Sequence, residues 1–268
     1  MTLFSERASH AKTRLIPLEG VENFRDYGGY PSRYGGSVVW GYLFRAAHQA
    51  AATDDDLRVL AEMNLGHVVD LRRPSERAMH PSRRYQGFVA EVIECDQGDQ
   101  AEAPHVAFLR DTDLTPASVR KFFDAYYAGA PFEPRHIDLY SRYFRALAEG
   151  DGAVLIHCTA GKDRTGILAA LTHHLLGVHP DDMFADFLLT NAAVRMEARA
   201  PMVAQALEAS LGKTPSDVAV RAFLGVEAAY LDRAFQVMTE RTGSPEAYLA
   251  MLGVNEKDAT AIRLRLLD

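Results

Sequence analysis

The sequence predicts an α/β fold: a central, mainly parallel sheet flanked by helices, with a largely helical C-terminal part. Two observations carry that expectation. Three short apolar runs, HVVDL (67–71), VAEVIEC (89–95) and AVLIHC (153–158), read as buried parallel strands. Helical patterns separate or flank them, and alternation of strand and helix is the signature of a layered sheet. Ligands of such sheets bind beyond the carboxyl ends of the strands, where Asp70 and Cys158 both stand.

The elements follow in order. Residues 1–15 are a polar, loose lead-in, and ENFRDYGGYPSRYGG (22–36) is loop and turn by its Gly, Asn, Asp and Pro content. SVVWGYLFRA (37–46) is β-rich. TDDDLRVLAEMN (53–64) is a helix with Thr53 as its cap and three aspartates at its positive end. HIDLYSRYFRALAEG (136–150) precedes the last strand as a helix, and a long apolar helix runs from Arg164 to Gly177 after it. Two further helix-like stretches, 181–198 and 201–212, are separated at Pro201. In 214–243 the residues Phe223, Val226, Tyr230, Ala234 and Val237 recur at helical spacing; Ser216 or Asp217 can cap the start and Gly243 stops it. A final helix carries Ala259, Ile262 and Leu266 on one face. No repeat or linker divides the chain, so its 268 residues read as a single domain.

Composition narrows the function. Apolar residues make up 48% and charged residues 24%, the balance of a soluble globular protein. A net charge of −7 argues against a non-specific nucleic-acid partner. Two cysteines make no disulfide framework and point to a reducing compartment. The N-terminus lacks the apolar core of a secretory signal, and the longest uncharged apolar run (165–180) is too short for a transmembrane segment. The expectation is a cytoplasmic protein, although export that needs no signal peptide would leave no mark.

The chemistry lies in AVLIHCTAGKDRTGILAAL (153–171). A strand ends at His157–Cys158, a short loop contains Gly161, and a helix starts near Arg164. Backbone N–H groups of the turn and of the helix N-terminus then surround one point, an anion site before any side chain is considered. Cys158 at that point is favoured as thiolate. Arg164, after five intervening residues, can bring a planar fork back over it to hold two phosphate oxygens. Nucleophile, clamp and amide cradle suit phosphoryl transfer through a cysteinyl-phosphate.

The loop HCTAGKDRTG resembles the phosphate-binding loop of cysteine-dependent protein tyrosine phosphatases, H-C-x5-R-[ST]-G. More narrowly, it is similar to atypical bacterial tyrosine and phosphoinositide phosphatases whose loop reads HCxxGKDRTG. NFRDYGG (23–29), LFRAA around Arg45, DLR (70–72) and the C-terminal 227–254 segment extend the likeness in order along the chain. The resemblance implies a tyrosine phosphatase-like fold and a phosphomonoesterase for phosphotyrosine, with phosphoserine, phosphothreonine and phosphoinositides as further substrates. It implies no metal or other cofactor, the positive charge being that of Arg164 and Lys162. Residues Thr159, Ala160, Gly161, Lys162, Asp163 and Arg164 would bind phosphate, with inorganic phosphate as product. His157, Asn23 and Arg45 would support the loop. Thr165 would donate its hydroxyl to the cysteine sulfur, and Lys162 would attract a second phosphate. It further implies that the two helix-like stretches 181–198 and 201–212 can act as a mobile cover, with fixed core helices as the alternative.

The general acid is open between two aspartates. Asp163, beside the bound phosphate, is favoured by the resemblance; Asp70, at a strand end, is the substitute for the distant-loop aspartate of most tyrosine phosphatases. Cys95 has no cationic company and reads as inert. His173 and His174 are adjacent on a helix, point apart, and make no metal set. The rival readings are a phosphoinositide-preferring lipid phosphatase, a phosphate-binding pseudo-enzyme, and a rhodanese-like sulfurtransferase.

Overall fold

A computed structural model of the chain describes residues 14–97, 104–212 and 214–268. Of the expected lead-in, only Arg14 and Leu15 fall among these, and both are docked: Leu15 bridges to Arg25, and the Arg14 guanidinium lies over the Tyr30 ring.

One five-stranded sheet runs in the order β1-β2-β5-β3-β4. Its strands are β1 (Arg25–Asp26), β2 (Leu43–Ala46), β3 (Leu65–Asp70), β4 (Glu91–Ile93) and β5 (Ala153–His157). The β1–β2 pairing is antiparallel and the other three are parallel. The central strand β5 is buried along its whole length, and its residues alternate between two cores. Val154 and Ile156 join the larger one; Ala153 and Leu155 join the smaller. A strand covered on both faces needs an unbroken apolar run, which is why AVLIH is legible as one.

The smaller core is closed by α1 (Asp54–Ala61), whose start is held by a capping box between Thr53 and Asp56. Between β3 and β5 lie α2 (Pro74–Met79), α3 (Pro104–Asp111), α4 (Pro116–Gly129) and α5 (Pro134–Glu149). The helix α6 (Asp163–Leu175) follows β5 and is buried on nearly every side, in keeping with its central apolar run, residues 166–171. The chain ends in α7 (Pro180–Leu188), α8 (Thr190–Ala193), α9 (Met196–Leu211), α10 (Asp217–Leu224), α11 (Ala228–Thr242), α12 (Pro245–Met251) and α13 (Glu256–Leu266).

Five expectations are corrected. NFRD is not all loop, because Arg25 and Asp26 pair with Arg45 and Phe44 on the sheet edge. The β-rich run 37–46 forms strand only in its last four residues, and VAEVIEC only over three, leaving Cys95 beyond the strand end. Pro201 does not separate two helices. It sits inside α9, and the break falls at Val194, which turns extended (φ −78°, ψ 126°). As the sixth residue of α9, Pro201 forgoes the backbone hydrogen bond to the Glu197 carbonyl, and the helix continues past it to Leu211. Lastly, 214–243 is two helices. Ser216 caps the first, and Gly225 ends it. The Asn191 side chain then takes both backbone groups of Val226, accepting its N–H at 2.8 Å and donating to its carbonyl at 2.9 Å. A remote asparagine thus holds the chain at the break that Gly225 opens.

His136 and His157 are fully buried, and burial lowers their pKa to about 3 and about 4. Both are therefore neutral in the fold and charged only after unfolding in mild acid. Their contribution is complete above about pH 6.5 and is lost as pH falls from there toward 4. The slope is about 1.4 kcal/mol per pH unit for each histidine. Urea unfolding at pH 7, 6 and 5 should show this steady loss. Equal stability at pH 7 and 5 would refute it.

Candidate active site

Strand β5 delivers Cys158 to the first position of a loop that ends at the N-terminus of α6. Gly161 makes the turn possible, with φ +68°. A Cβ there would also lie 2.3 Å from the Ala46 carbonyl, so neither conformation nor space admits another residue. Cys158 is 2% exposed and lines a cavity of about 200 Å³ together with Thr159, Ala160, Lys162, Asp163 and Arg164.

The loop is held from below. Asn23 donates to the carbonyls of Ala160 (3.2 Å) and Gly161 (2.9 Å), and Arg45 donates to Gly161 (3.0 Å). A trans peptide sends its N–H opposite to its carbonyl, so tying these carbonyls down turns the N–H groups of Gly161 and Lys162 the other way. Asp186 of α7 completes the support. Its carboxylate takes Arg25 Nε at 3.0 Å and Arg45 Nη1 at 2.6 Å. Burial would raise its pKa, but the two guanidiniums hold it well below the carboxylate range. Burial and the neighbouring Arg45 bring Arg25 down to about 10. From the sequence alone Asp186 is only a position within the first of the two stretches expected to act as a mobile cover. In the structure it is buried and anchored in this network.

Arg164 has a partner that the sequence reading missed. Glu76 of α2 accepts from Arg164 Nη1 at 2.6 Å and from Nη2 at 2.8 Å, a fork-to-fork pair. Thr159 bonds to the same carboxylate at 2.5 Å and accepts from Arg164 Nη2 at 3.1 Å. Burial would raise the Glu76 pKa; the Arg164 guanidinium and these bonds hold it far below the usual range. The guanidinium plane is therefore fixed before any phosphate arrives. Glu76 sits in a short helix with no periodic signal, and nothing local in the sequence marks it as a partner of Arg164.

The two candidate acids are placed differently. Asp163 lines the cavity with Cys158; its Oδ1 accepts from the Tyr127 hydroxyl at 2.8 Å and its Oδ2 is 3.7 Å from Lys162 Nζ. Asp70 is buried behind the loop and does not line the cavity. It faces Arg72 (Nη2–Oδ2 2.6 Å) and the neighbouring-strand His157 (3.6 Å). Burial would raise its pKa, but His157 and Arg72 together bring it down to about 2. A carboxyl that ionised has no proton to give near neutrality, and Asp70 does not touch Arg164 either.

Two other residues depart from expectation. The Thr165 hydroxyl is buried without a hydrogen-bond partner, so the expected bond to the cysteine sulfur is absent. Lys162 is in the cavity wall, but its ammonium already donates to the carbonyls of Phe223 (2.5 Å) and Gly225 (3.2 Å) and lies 4.4 Å from the Phe123 ring centre. Those carbonyls are at the helix break after α10. His157 is buried with neither ring nitrogen hydrogen-bonded, a neutral packing residue under the loop. His173 binds the Tyr27 carbonyl and His174 pairs with Glu246, facing different ways.

Above the loop, Phe122, Phe123, Tyr126 and Phe223 give the cavity an aromatic wall. One cavity thus brings together a cysteine just beyond the end of a parallel strand, an arginine fork held by Glu76 and a carboxyl at a helix start. The chain belongs to the tyrosine phosphatase family, hydrolases of phosphoric monoesters, whose family model matches residues 16–268. It is 33% identical over 237 residues to a Cupriavidus necator protein classed by name with the tyrosine-protein phosphatases, covering 87% of this chain and 82% of that one. It is 30% identical over 276 residues to the triple specificity protein phosphatase PtpB of Mycobacterium tuberculosis, covering 92% and 96%. A tyrosine-protein phosphatase of Nostoc commune is 26% identical, over 83% of this chain and 73% of that one.

The Glu76 pairing predicts an unusual ordering of variants. Arg164→Lys should lose at least about a hundredfold in kcat/KM, since a point ammonium replaces neither half of the fork. Glu76→Gln keeps the shape but removes the charge, and should lose about tenfold by freeing the guanidinium. Steady-state kinetics on a phosphotyrosine peptide checks both. A Glu76→Gln enzyme as fast as wild type would show that the pair does not orient the clamp.

Proposed function

We propose that residues 1–268 act as one cytoplasmic phosphatase domain that hydrolyses phosphotyrosine through a cysteinyl-phosphate. The observation that carries the reading is the convergence of Cys158, Arg164 and Asp163 on one cavity with an aromatic wall. Cys158 Sγ attacks phosphorus while Arg164 and the loop N–H groups of residues 159–164 hold the equatorial oxygens. Asp163 protonates the leaving oxygen, and the same residue then takes a proton from the water that cleaves the S–P bond. Thr165, with an uncommitted buried hydroxyl, is available to the sulfur as charge returns to it. A free thiol nucleophile supports a reducing compartment.

The aromatic wall favours an aryl phosphate over phosphoserine, because a flat ring can stack where an alkyl chain cannot. A phosphoinositide activity is the second reading, supported by the triple-specificity name of the Mycobacterium relative and by Lys162 in the cavity wall. Against it, the Lys162 ammonium is already taken by two carbonyls.

A panel of phosphotyrosine and phosphoserine peptides and phosphoinositide vesicles tests the order. The phosphotyrosine peptide should be turned over fastest, and Cys158→Ser should abolish every activity while still binding inorganic phosphate. Residual turnover at a tenth of wild type in Cys158→Ser would exclude it as the nucleophile. Asp163→Asn should slow the peptide by roughly 10²–10⁴-fold and spare an activated aryl ester. Asp70→Asn should show no such dependence on the leaving group; if it does and Asp163→Asn does not, the roles are exchanged.

A further inference from the structure

The two oxygens of Asp163 have different neighbours. Oδ1 accepts from the Tyr127 hydroxyl, and Oδ2 faces Lys162 Nζ. Tyr127, on α4, is fully buried. Its ring is caged by Phe123, Tyr126, Phe187 and Tyr230, with centroids 6.5, 5.8, 6.2 and 5.6 Å away. Burial first, and the facing Asp163 second, push the phenol pKa well above its ordinary value, so the hydroxyl keeps its proton. Asp163 is the hydrogen-bond acceptor that the structure provides for it.

We propose that Tyr127 is a positioning residue for proton transfer: its hydroxyl fixes Oδ1 of Asp163 as acceptor and so places the carboxyl proton on Oδ2, the oxygen beside Lys162. The inference rests on Asp163 being the general acid. A proton on Oδ1 would force the Tyr127 hydrogen away from its acceptor inside an aromatic cage, and a buried donor without a partner costs free energy. One of the two protonation sites is therefore selected before substrate binds.

The Cys158 Sγ–P bond forms, the P–O bond to the leaving group breaks, and the electron pair stays on the leaving oxygen. The proton passes from Oδ2 to that oxygen. The carboxylate left behind is stabilised on Oδ1 by Tyr127 and on Oδ2 by the facing ammonium. In the second half, Oδ2 takes a proton from the attacking water while the S–P bond breaks and sulfur departs as thiolate. One hydroxyl thus holds the same carboxyl for both halves.

The test compares kcat/KM on a phosphotyrosine peptide with that on p-nitrophenyl phosphate, whose leaving group needs little protonation. Wild type, Tyr127→Phe, Asp163→Asn and the double variant are measured, with orthovanadate inhibition as a check on the phosphate site. Tyr127→Phe should lose about ten- to a hundredfold on the peptide, lose far less on the activated ester, and bind orthovanadate unchanged. On top of Asp163→Asn it should add no further leaving-group dependence. Equal loss on both esters, no loss on either, or weakened orthovanadate binding would overturn the proposal. If Asp163→Asn itself shows no leaving-group dependence, the general-acid reading fails and the inference goes with it. A selective Asp163→Asn beside an unselective Tyr127→Phe removes the inference alone.

Discussion

The site depends on a single buried carboxylate. Asp186 holds two guanidiniums, Arg25 and Arg45, that have no exposure to solvent. Two such cations side by side repel one another, and removing the partner of a buried charge is among the costlier changes in a protein, about 3–5 kcal/mol. With Asp186 in place, Arg45 has a hand free for the Gly161 carbonyl, and Arg25 donates to the side chain of Asn23, which holds the same loop. The shape of the phosphate loop is thus set by charge balance beneath it, and the one net positive charge of the trio remains under an anion site.

The same economy operates on the other side of the loop. Glu76 faces the Arg164 fork and shares its carboxylate with Thr159, so two loop residues and a separate helix are locked together. Asp70, though close in space, is spent on Arg72. The difference between these carboxylates is one of placement: Glu76 and Asp163 border the cavity, whereas Asp70 sits behind the strand ends.

The parts legible in the sequence were those whose cause is local. A strand buried on both faces must be an apolar run, and the Cys158-to-Arg164 spacing is set by one circuit of loop, so both could be read from consecutive residues. Thr53 and Ser216 caps are local in the same sense. What escaped depends on contacts between distant positions. Glu76 and Asp186 are partners chosen by the fold, 88 and 161 positions from Arg164 and Arg25. The break in 214–243, opened at Gly225, is held by Asn191, and the short strand β1 follows from its edge partner β2. A helical period says nothing about an amide side chain arriving from elsewhere.

The long reach of these bonds bears on when the protein becomes active as it is made. The loop around Cys158 is held by Asn23, 137 or more positions before the carbonyls it binds, and by Arg45, whose partner Asp186 leaves the ribosome after Cys158. Contacts so distant along the chain form late, because the entropy of closing the intervening loops is lost first. A growing chain therefore carries its cysteine without the support that shapes the phosphate loop. Catalytic competence arrives with the completed tertiary structure and not with the motif.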